Sequence, residues 1–456
     1  MVTESFPNRS RGRPDRPPGQ RQEDPGAGRH RHHGPCPSAQ LRRRPDPHHD
    51  PPGEPGRIHR LPQPLPDPRE VSLMRDHRKP VIALVTDAIY PYHRGGKELR
   101  YFELSRRLTR HADVHVYTMN WWKGPRVRVE DGVTYHGISP LFPLYTKGRR
   151  SVSEALLFSL ACARLLFRRF DVVEADHMPY FQIFALRLIT AIKRKRLVVT
   201  WHEVWSQSYW REYLGPLGIF AWYIERLAMA LPDQIIAASP QTAEALRAAL
   251  GPRAAVMAAP NGIDLDAVQA AYTDAETTDI VVVGRLMSHK RIDLLLEAVA
   301  LLHAEGTPVT CRIVGDGPER DSLQSLAHSL NVAHAVDFRH DVGEQKEVYA
   351  LLKAGRVAVF PSAREGFGIA VLEALACGVP VVTTSAPANL ARHLVTQASQ
   401  GSVCEPSAVA IAEAVKAWLA CDLDGPDSGR ARRNDGWLAE YSWDVITERV
   451  AGALLS

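Results

Sequence analysis

The residues best suited to chemistry gather in one stretch, Pro361-Ser-Ala-Arg-Glu-Gly-Phe-Gly-Ile-Ala-Val-Leu-Glu373. It holds two carboxylates, Glu365 and Glu373, with Gly366 and Gly368 between them. Carboxylates accept hydrogen bonds from hydroxyls. Backbone amides at a helix N-terminus attract phosphate, and a helix is expected from Ile369 to Cys377. A second site-like pair lies upstream, where Arg285 precedes Lys290 by five residues in Val283-Gly-Arg-Leu-Met-Ser-His-Lys290. A diphosphate needs a bidentate fork and a point charge, which Arg and Lys supply. Together these groups describe a ligand that carries hydroxyls and phosphate, such as a sugar nucleotide.

These residues need elements to position them. The apolar run Val357 to Phe360 reads as a buried strand, so Glu365 falls on the loop at its carboxyl end. Ligands of open α/β sheets bind there. Arg285 follows the strand Ile280 to Val283 in the same way. His202 and Glu203 follow Leu197 to Thr200, and Gly95-Gly96 follow Val81 to Thr86. From Pro80 onward strands and helices alternate, which argues for parallel sheets covered on both faces. A first series runs to about Ala237. A polar section, Asn120 to Thr134, interrupts it. A second series is expected from Ala255, with the strands Ala255 to Ala258, Ile280 to Val283, Cys311 to Val314, Ala335 to Phe338, Val357 to Phe360 and Val379 to Thr383. Trp437 to Leu455 reads as a last amphipathic helix.

Each motif has a plainer alternative. Arg285 and Lys290 alone read as solvated charges flanking a loop; the carboxylates 80 residues on tip the balance to function. Gly95-Gly96 fits a close approach to phosphate and a tight turn equally well. A lone histidine is usually satisfied in a core, but the expected place of His202 at a cleft favours function. Trp201, Trp205, Tyr209, Trp210 and Tyr213 around it can stack on sugars, though packing is the commoner use. Val314-Gly-Asp-Gly-Pro-Glu319 resembles a dinucleotide fingerprint, but Arg320 stands where its third glycine belongs.

Composition narrows the class. The 456 residues carry a formal charge of +5. Residues 1–73 hold 16 of the 34 prolines and little apolar periodicity, so we expect them to be disordered, with Met74 as the native start. Prolines interrupt their basic runs and aromatics are nearly absent, which argues against nucleic-acid binding. The six cysteines are scattered without Cys-x-x-Cys and fit buried thiols in a reducing cytosol. No run approaches a membrane span. The longest apolar stretch, Ala155 to Phe167, is interrupted by Arg164.

On these motifs the chain from about Met74 onward resembles the family 4 retaining glycosyltransferases of the GT-B fold. The resemblance rests on Glu365-x7-Glu373, Pro260-Asn-Gly-Ile-Asp264, Gly284-Arg285 with Lys290, Val-Gly-Asp-Gly-Pro-Glu319 and Gly95-Gly96; Tyr441-Ser-Trp-Asp444 resembles the family's last helix. It implies two Rossmann-like domains facing each other across a cleft, with a C-terminal helix crossing back to the N-terminal domain. The expected limits are 1–73 for the disordered segment, 74–254 for the acceptor-side domain, 255–430 for the nucleotide-sugar domain and 431–456 for the crossover helix. It also implies roles. Glu373 would bind the ribose and Glu365 the donor sugar. Arg285 and Lys290 would neutralise the leaving diphosphate, and the amides of Phe367, Gly368 and Ile369 would add donors. His202 would hold the sugar, Gly95 and Gly96 would approach phosphate, and Asn261 and Gly284 would line the donor site. No cofactor and no metal are implied.

The expected activity is therefore transfer of a hexosyl group from a nucleotide-diphosphate sugar, such as a UDP- or GDP-hexose, to a glycan, lipid or small-molecule hydroxyl. The rivals are a nucleotide-sugar epimerase, an NAD-dependent oxidoreductase and a non-catalytic GT-B protein that only binds sugar. Lys147-Gly-Arg-Arg150, Arg168-Arg169 and Lys193-Arg-Lys-Arg196 read as solvated helix ends first and as contacts with anionic membrane second. The expected location is cytoplasmic, with the inner membrane face as the place of any such contact.

Overall fold

Val81-Ile-Ala-Leu-Val85 is buried at every position and pairs in parallel on both sides, as an apolar strand covered on both faces must. It is β1 of a sheet that continues with β2 (Asp113–Met119), β3 (Val127–Glu130), β4 (Val133–Ser139), β5 (Val172–Asp176), β6 (Arg196–Trp201), β7 (Gln234–Ala237) and β8 (Val256–Ala258). The computed structural model describes residues 78–146, 149–274, 276–398, 400–421 and 436–456. The expected disordered segment, the start at Met74 and the limit at residue 430 lie outside the described residues.

The strand order is β8-β7-β6-β5-β1-β2-β4-β3, parallel except for the β3–β4 pair. A second, wholly parallel sheet contains β9 (Thr278–Val283), β10 (Cys311–Val314), β11 (Val336–Arg339), β12 (Gly355–Phe360), β13 (Val381–Thr384) and β14 (Gly401–Cys404). Its order is β11-β10-β9-β12-β13-β14. Each sheet reverses its winding beside its first strand, between β1 and β5 and between β9 and β12. Such reversals open crevices at the strands' carboxyl ends.

The first sheet is covered by α1 (Gly96–Leu108), α2 (Val152–Ala161), α3 (Tyr180–Lys193), α4 (Gln207–Leu214), α5 (Gly218–Met229) and α6 (Pro240–Leu250). After the crossing come α7 (Leu265–Ala270), α8 (Ile292–Ala304), α9 (Arg320–Ser329), α10 (Gln345–Ala354), α11 (Ile369–Ala376), α12 (Arg392–Ala398), α13 (Ala408–Leu419) and α14 (Trp443–Leu455). Local sequence explains their limits. In α8, Ile292, Leu295, Leu296, Val299 and Leu302 recur at helical spacing and are buried. In α6, the Ser239 hydroxyl accepts from the Thr242 amide at 3.0 Å and Pro240 occupies the first turn.

The structure departs from the sequence-based expectation in three places. The strand near Ala255 belongs to the first sheet, not the second: Val256 and Met257 lie opposite Ile235 and Ile236 of β7. A three-residue strand carries no mark of which sheet it will join. The polar section 120–134 contains β3 and leads into β4: β3 buries no residue and is held as an edge strand by its antiparallel pairing with β4. The segment Val152 to Phe167 is α2 followed by a 3₁₀ turn over Cys162–Phe167, rather than one helix.

The chain crosses between the sheets twice, side by side. The Ile263 amide donates to the Tyr441 carbonyl at 2.8 Å and the Trp443 amide to the Ile263 carbonyl at 3.2 Å. Trp443, Ile446, Val450 and Leu454 then join the apolar cluster that holds Tyr101 and Leu108 of α1. The last helix is thus packed on the N-terminal domain.

Candidate active site

The carboxyl ends of β1, β5, β9 and β12 converge on one cleft of about 1190 Å³. Gly95, Gly96, His202, Asn261, Gly284, Arg285, Lys290, Glu365, Phe367, Gly368, Ile369 and Glu373 all line it. The tertiary structure thus brings these twelve sequence-predicted positions to one cleft.

On the C-terminal wall, the Lys290 ammonium is paired with Glu365, whose Oε1 also accepts from the Ser362 hydroxyl at 3.0 Å. Burial alone would raise the Glu365 carboxyl, but Lys290 overcomes it and holds the group below its ordinary range. Glu373, on the second turn of α11, has a different environment. Burial pushes its carboxyl up to about 8, opposed only by the Gln345 amide, which donates to Oε1 at 2.6 Å. Glu365 is therefore charged at neutral pH and Glu373 largely protonated. Arg285 has no carboxylate within ion-pair distance among the described residues; its guanidinium lies 5.7 Å from the Tyr145 ring centroid. Gly368 begins α11 at φ +90, and a Cβ there would meet the Ala391 Cβ at 2.4 Å. Only glycine allows this entry into the helix.

The N-terminal wall holds a charge network that the sequence motifs do not announce. Asp87 follows β1 and Asp176 ends β5, and both are fully buried. Lys97, next to Gly96, bridges them at 2.6 and 2.7 Å. Arg150 also pairs with Asp87. This removes Arg150 from the solvated basic cluster expected at 147–150, whose residues Lys147 and Gly148 lie outside the described residues. Burial opposes both ionised aspartates. Arg150 and Lys97 nevertheless hold Asp87 low, and Lys97 holds Asp176 well below its usual range. The His177 Nδ1 lies 3.1 Å from Asp176 Oδ1 and His202 Nε2 lies 3.7 Å from it. Burial pulls the His202 imidazole down to about 3, so the ring is neutral. A carboxylate at each strand's carboxyl end beside the winding reversal was the available signal for this network.

Asp176, His177 and His202 bring ligand-type atoms within 4.8 Å of one another. Lys97 already sits 2.7 Å from Asp176 Oδ2. An ammonium at that distance repels a metal ion, so this donor set fits one poorly.

Contacts join the two walls. Arg364 lies over Tyr209 and Trp205, 4.5 and 5.0 Å from their ring centroids, and 3.6 Å from Glu203. A Cβ on Gly96 would meet Ile369 Cδ1 at 3.1 Å. Of the expected aromatic set, Trp205, Tyr209 and Tyr213 line the cleft, whereas Trp201 and Trp210 are core residues. Two other motifs act as buttresses. The Leu286 amide donates to the Asp316 carbonyl at 3.0 Å, so the Gly-Asp-Gly-Pro loop braces the loop that carries Arg285. The buried Arg100 of α1 donates to the Pro260 carbonyl at 2.8 Å and to Asn261 Oδ1 at 3.2 Å.

The profile of the family described as Glycosyltransferase Family 4 matches residues 94–267, and that of Glycosyl transferases group 1 matches residues 269–434. A human phosphatidylinositol N-acetylglucosaminyltransferase component is 26% identical over 381 residues, 81% of this chain and 74% of that protein. A GDP-mannose-dependent alpha-(1-6)-phosphatidylinositol monomannoside mannosyltransferase of Mycobacterium tuberculosis is 28% identical over 243 residues, 49% of this chain and 61% of the relative. Among solved structures, sucrose-phosphate synthase from Thermosynechococcus elongatus superposes with a TM-score of 0.68 at 20% identity, covering 82% of this chain and 98% of its own. An Anabaena HepE complex with UDP and glucose does so with a TM-score of 0.61 at 19% identity, covering 82% and 99%. The two adjoining profile matches agree with the two sheets, their shared cleft and the returning helix: the chain is a glycosyltransferase, matching Glycosyltransferase Family 4 over residues 94–267 and Glycosyl transferases group 1 over residues 269–434.

Proposed function

We propose that the protein transfers a hexosyl group from a nucleotide-diphosphate sugar to a hydroxyl acceptor, with retention at the anomeric carbon and without a metal ion. The observation that carries this reading is that one cleft gathers the Lys290–Glu365 pair, Arg285, Glu373 and the first residues of α11. Glu365 is kept ionised beside Lys290, whereas Glu373, on the second turn of α11, is kept largely protonated. The ionised Glu365 accepts hydrogen bonds from the sugar's hydroxyls. Glu373 reads the ribose hydroxyls. Lys290 has ammonium donors beyond the one used on Glu365, and Arg285 is without a competing carboxylate among the described residues; both meet the diphosphate.

Charge grows on the diphosphate as the anomeric C–O bond breaks, and preorganised cations and amides are usually the largest catalytic term there. The acceptor oxygen then bonds to the anomeric carbon, and its proton passes to the leaving phosphate oxygen on the same face. The neutral His202 holds the sugar from the opposite wall by hydrogen bonding. Lys97, already placed between Asp87 and Asp176, supports the metal-independent reading. Relatives named for phosphatidylinositol and its mannosides favour a lipid-linked glycan or inositol hydroxyl as acceptor.

The test begins by titrating UDP and GDP sugars into the protein by calorimetry. Acceptors are then profiled with radiolabelled preferred donor. Glu365→Gln keeps the shape of the site and removes the charge, so transfer should fall by on the order of a hundredfold or more. Transfer at the full rate by Glu365→Gln overturns the assignment. Donor turnover without any acceptor requirement would instead favour an epimerase.

A further inference from the structure

The helices α2, α3 and α5 form one layer over the first sheet and share its apolar cluster through Phe158, Ile183, Leu186 and Met229. Their outer surface is unusual for a water-facing layer. Leu160 is 72% exposed and Phe167, in the turn after α2, is 90% exposed. Leu188 and Ile192 on α3, and Phe220 and Leu227 on α5, are exposed as well. Single exposed apolar residues need no explanation, but a set spread over three packed helices does. Exposed cations stand in the turns that follow α2 and α3, Arg164, Arg168, Arg169 and Arg194, while the acids in the connecting turns, Asp171 and Asp233, are paired with Lys195 and Arg187 at 2.9 and 2.8 Å. Of the described residues in these three helices, Glu154 and Glu225 are the acids, and both are buried.

We infer that this three-helix face docks on an anionic lipid bilayer. Leucine and phenylalanine enter the boundary between headgroups and acyl chains, and arginines meet the lipid phosphates, which is how surface-lying helices bind membranes. Charge selects this occupant over two others. A second copy of the chain would set one cationic face against another. Residues 1–73 are themselves rich in arginine, histidine and proline with little apolar content, and so complement neither the charge nor the apolar character of the face. No described helix is long and apolar enough to cross a membrane, so docking is peripheral. The face also adjoins the cleft. α4 packs against α5, and Tyr209 and Tyr213 of α4 line the cleft.

Docking of this face is independent of the glycosyl-transfer reading. Its test uses the full chain and vesicles alone, with neither donor nor acceptor. Co-sedimentation is measured with vesicles of equal parts phosphatidylglycerol and phosphatidylcholine, and with phosphatidylcholine vesicles. The wild type should pellet with the anionic vesicles and be released by raised salt. Phe167→Ser and Leu160→Ser should each weaken binding by about tenfold. Arg168→Glu together with Arg169→Glu should abolish the preference for anionic lipid. Circular dichroism melting and nucleotide binding should be unchanged in all of these, since the residues are exposed and outside the cleft. Equal pelleting of wild type and variants overturns the inference. So does equal binding to neutral and anionic vesicles. So does a dimer in sedimentation equilibrium that Phe167→Ser dissociates while vesicles leave the wild type in the supernatant.

Discussion

Glu373 and Glu365 are the same residue type in one loop–helix unit, yet the fold sends their acidities in opposite directions. The consequence for Glu373 is a signed pH dependence. In the unfolded chain its carboxyl loses its proton near 4.5, whereas burial keeps the proton to about 8 in the folded protein. Between those values the unfolded state binds fewer protons, so this group lowers stability as pH rises. The penalty is absent below the lower value and complete above the upper one. Glu373→Gln removes it. Urea midpoints of variant and wild type should coincide near pH 4, and the variant should be more stable at pH 9 by on the order of a few kcal/mol. A variant less stable at pH 9 would contradict the burial argument. Gln still offers a carbonyl acceptor and a donor, so it should bind nucleotide nearly as the protonated glutamate does; Glu373→Ala removes both, and nucleotide affinity should then fall by about tenfold to a hundredfold in calorimetry.

At the scale of the element, the loop from Phe360 to α11 decides where both glutamates point. Gly368 makes the turn with a positive φ, and Ala391 just before α12 fills the space a side chain would need. Gly368→Ala therefore combines left-handed strain with overpacking, each worth about 1–3 kcal/mol. We expect a melting temperature lower by several degrees and weaker nucleotide binding, because the first amides of α11 shift. An unchanged melting curve would show that the loop relaxes without cost. The element scale is also where the sequence was most legible. β9, β12, α8 and α11 have long or mainly apolar cores bounded by glycine or charge. α4 was invisible because Tyr209, Trp210 and Tyr213 read as a cluster of aromatics; its start depends on the Ser206 cap, whose hydroxyl accepts from the Tyr209 amide at 3.1 Å.

Across the whole molecule, the two domains are tied by the paired crossings and by α14. Trp443 is 2% exposed and packs against Gly262, where a Cβ would come within 2.7 Å of its ring. Trp443→Ala should cost about 3–5 kcal/mol. Its second signature should be faster hydrogen exchange through α14, since that helix would lose its anchor on α1. Loss of stability without faster exchange in α14 would place the anchor elsewhere. Arg364, over Tyr209 and Trp205, is the matching contact at the mouth of the cleft.

The sequence by itself determined the α/β class and the two-domain plan, because these are written in short-range patterns, and its family resemblance supplied the twelve predicted positions that line the cleft. Apolar runs specify buried parallel strands, and a glycine or charge immediately after a run lies at a strand's carboxyl end. What depends on residues far apart in the chain was left to the tertiary structure. Val256 to Ala258 joined the first sheet because β7 offered a free edge. Asp87, Lys97, Arg150 and Asp176 became one network because winding order set β1 beside β5. Only that folding also separated Glu365 from Glu373 in charge, since a carboxyl's acidity is set by its neighbours and its burial rather than by its place in the sequence.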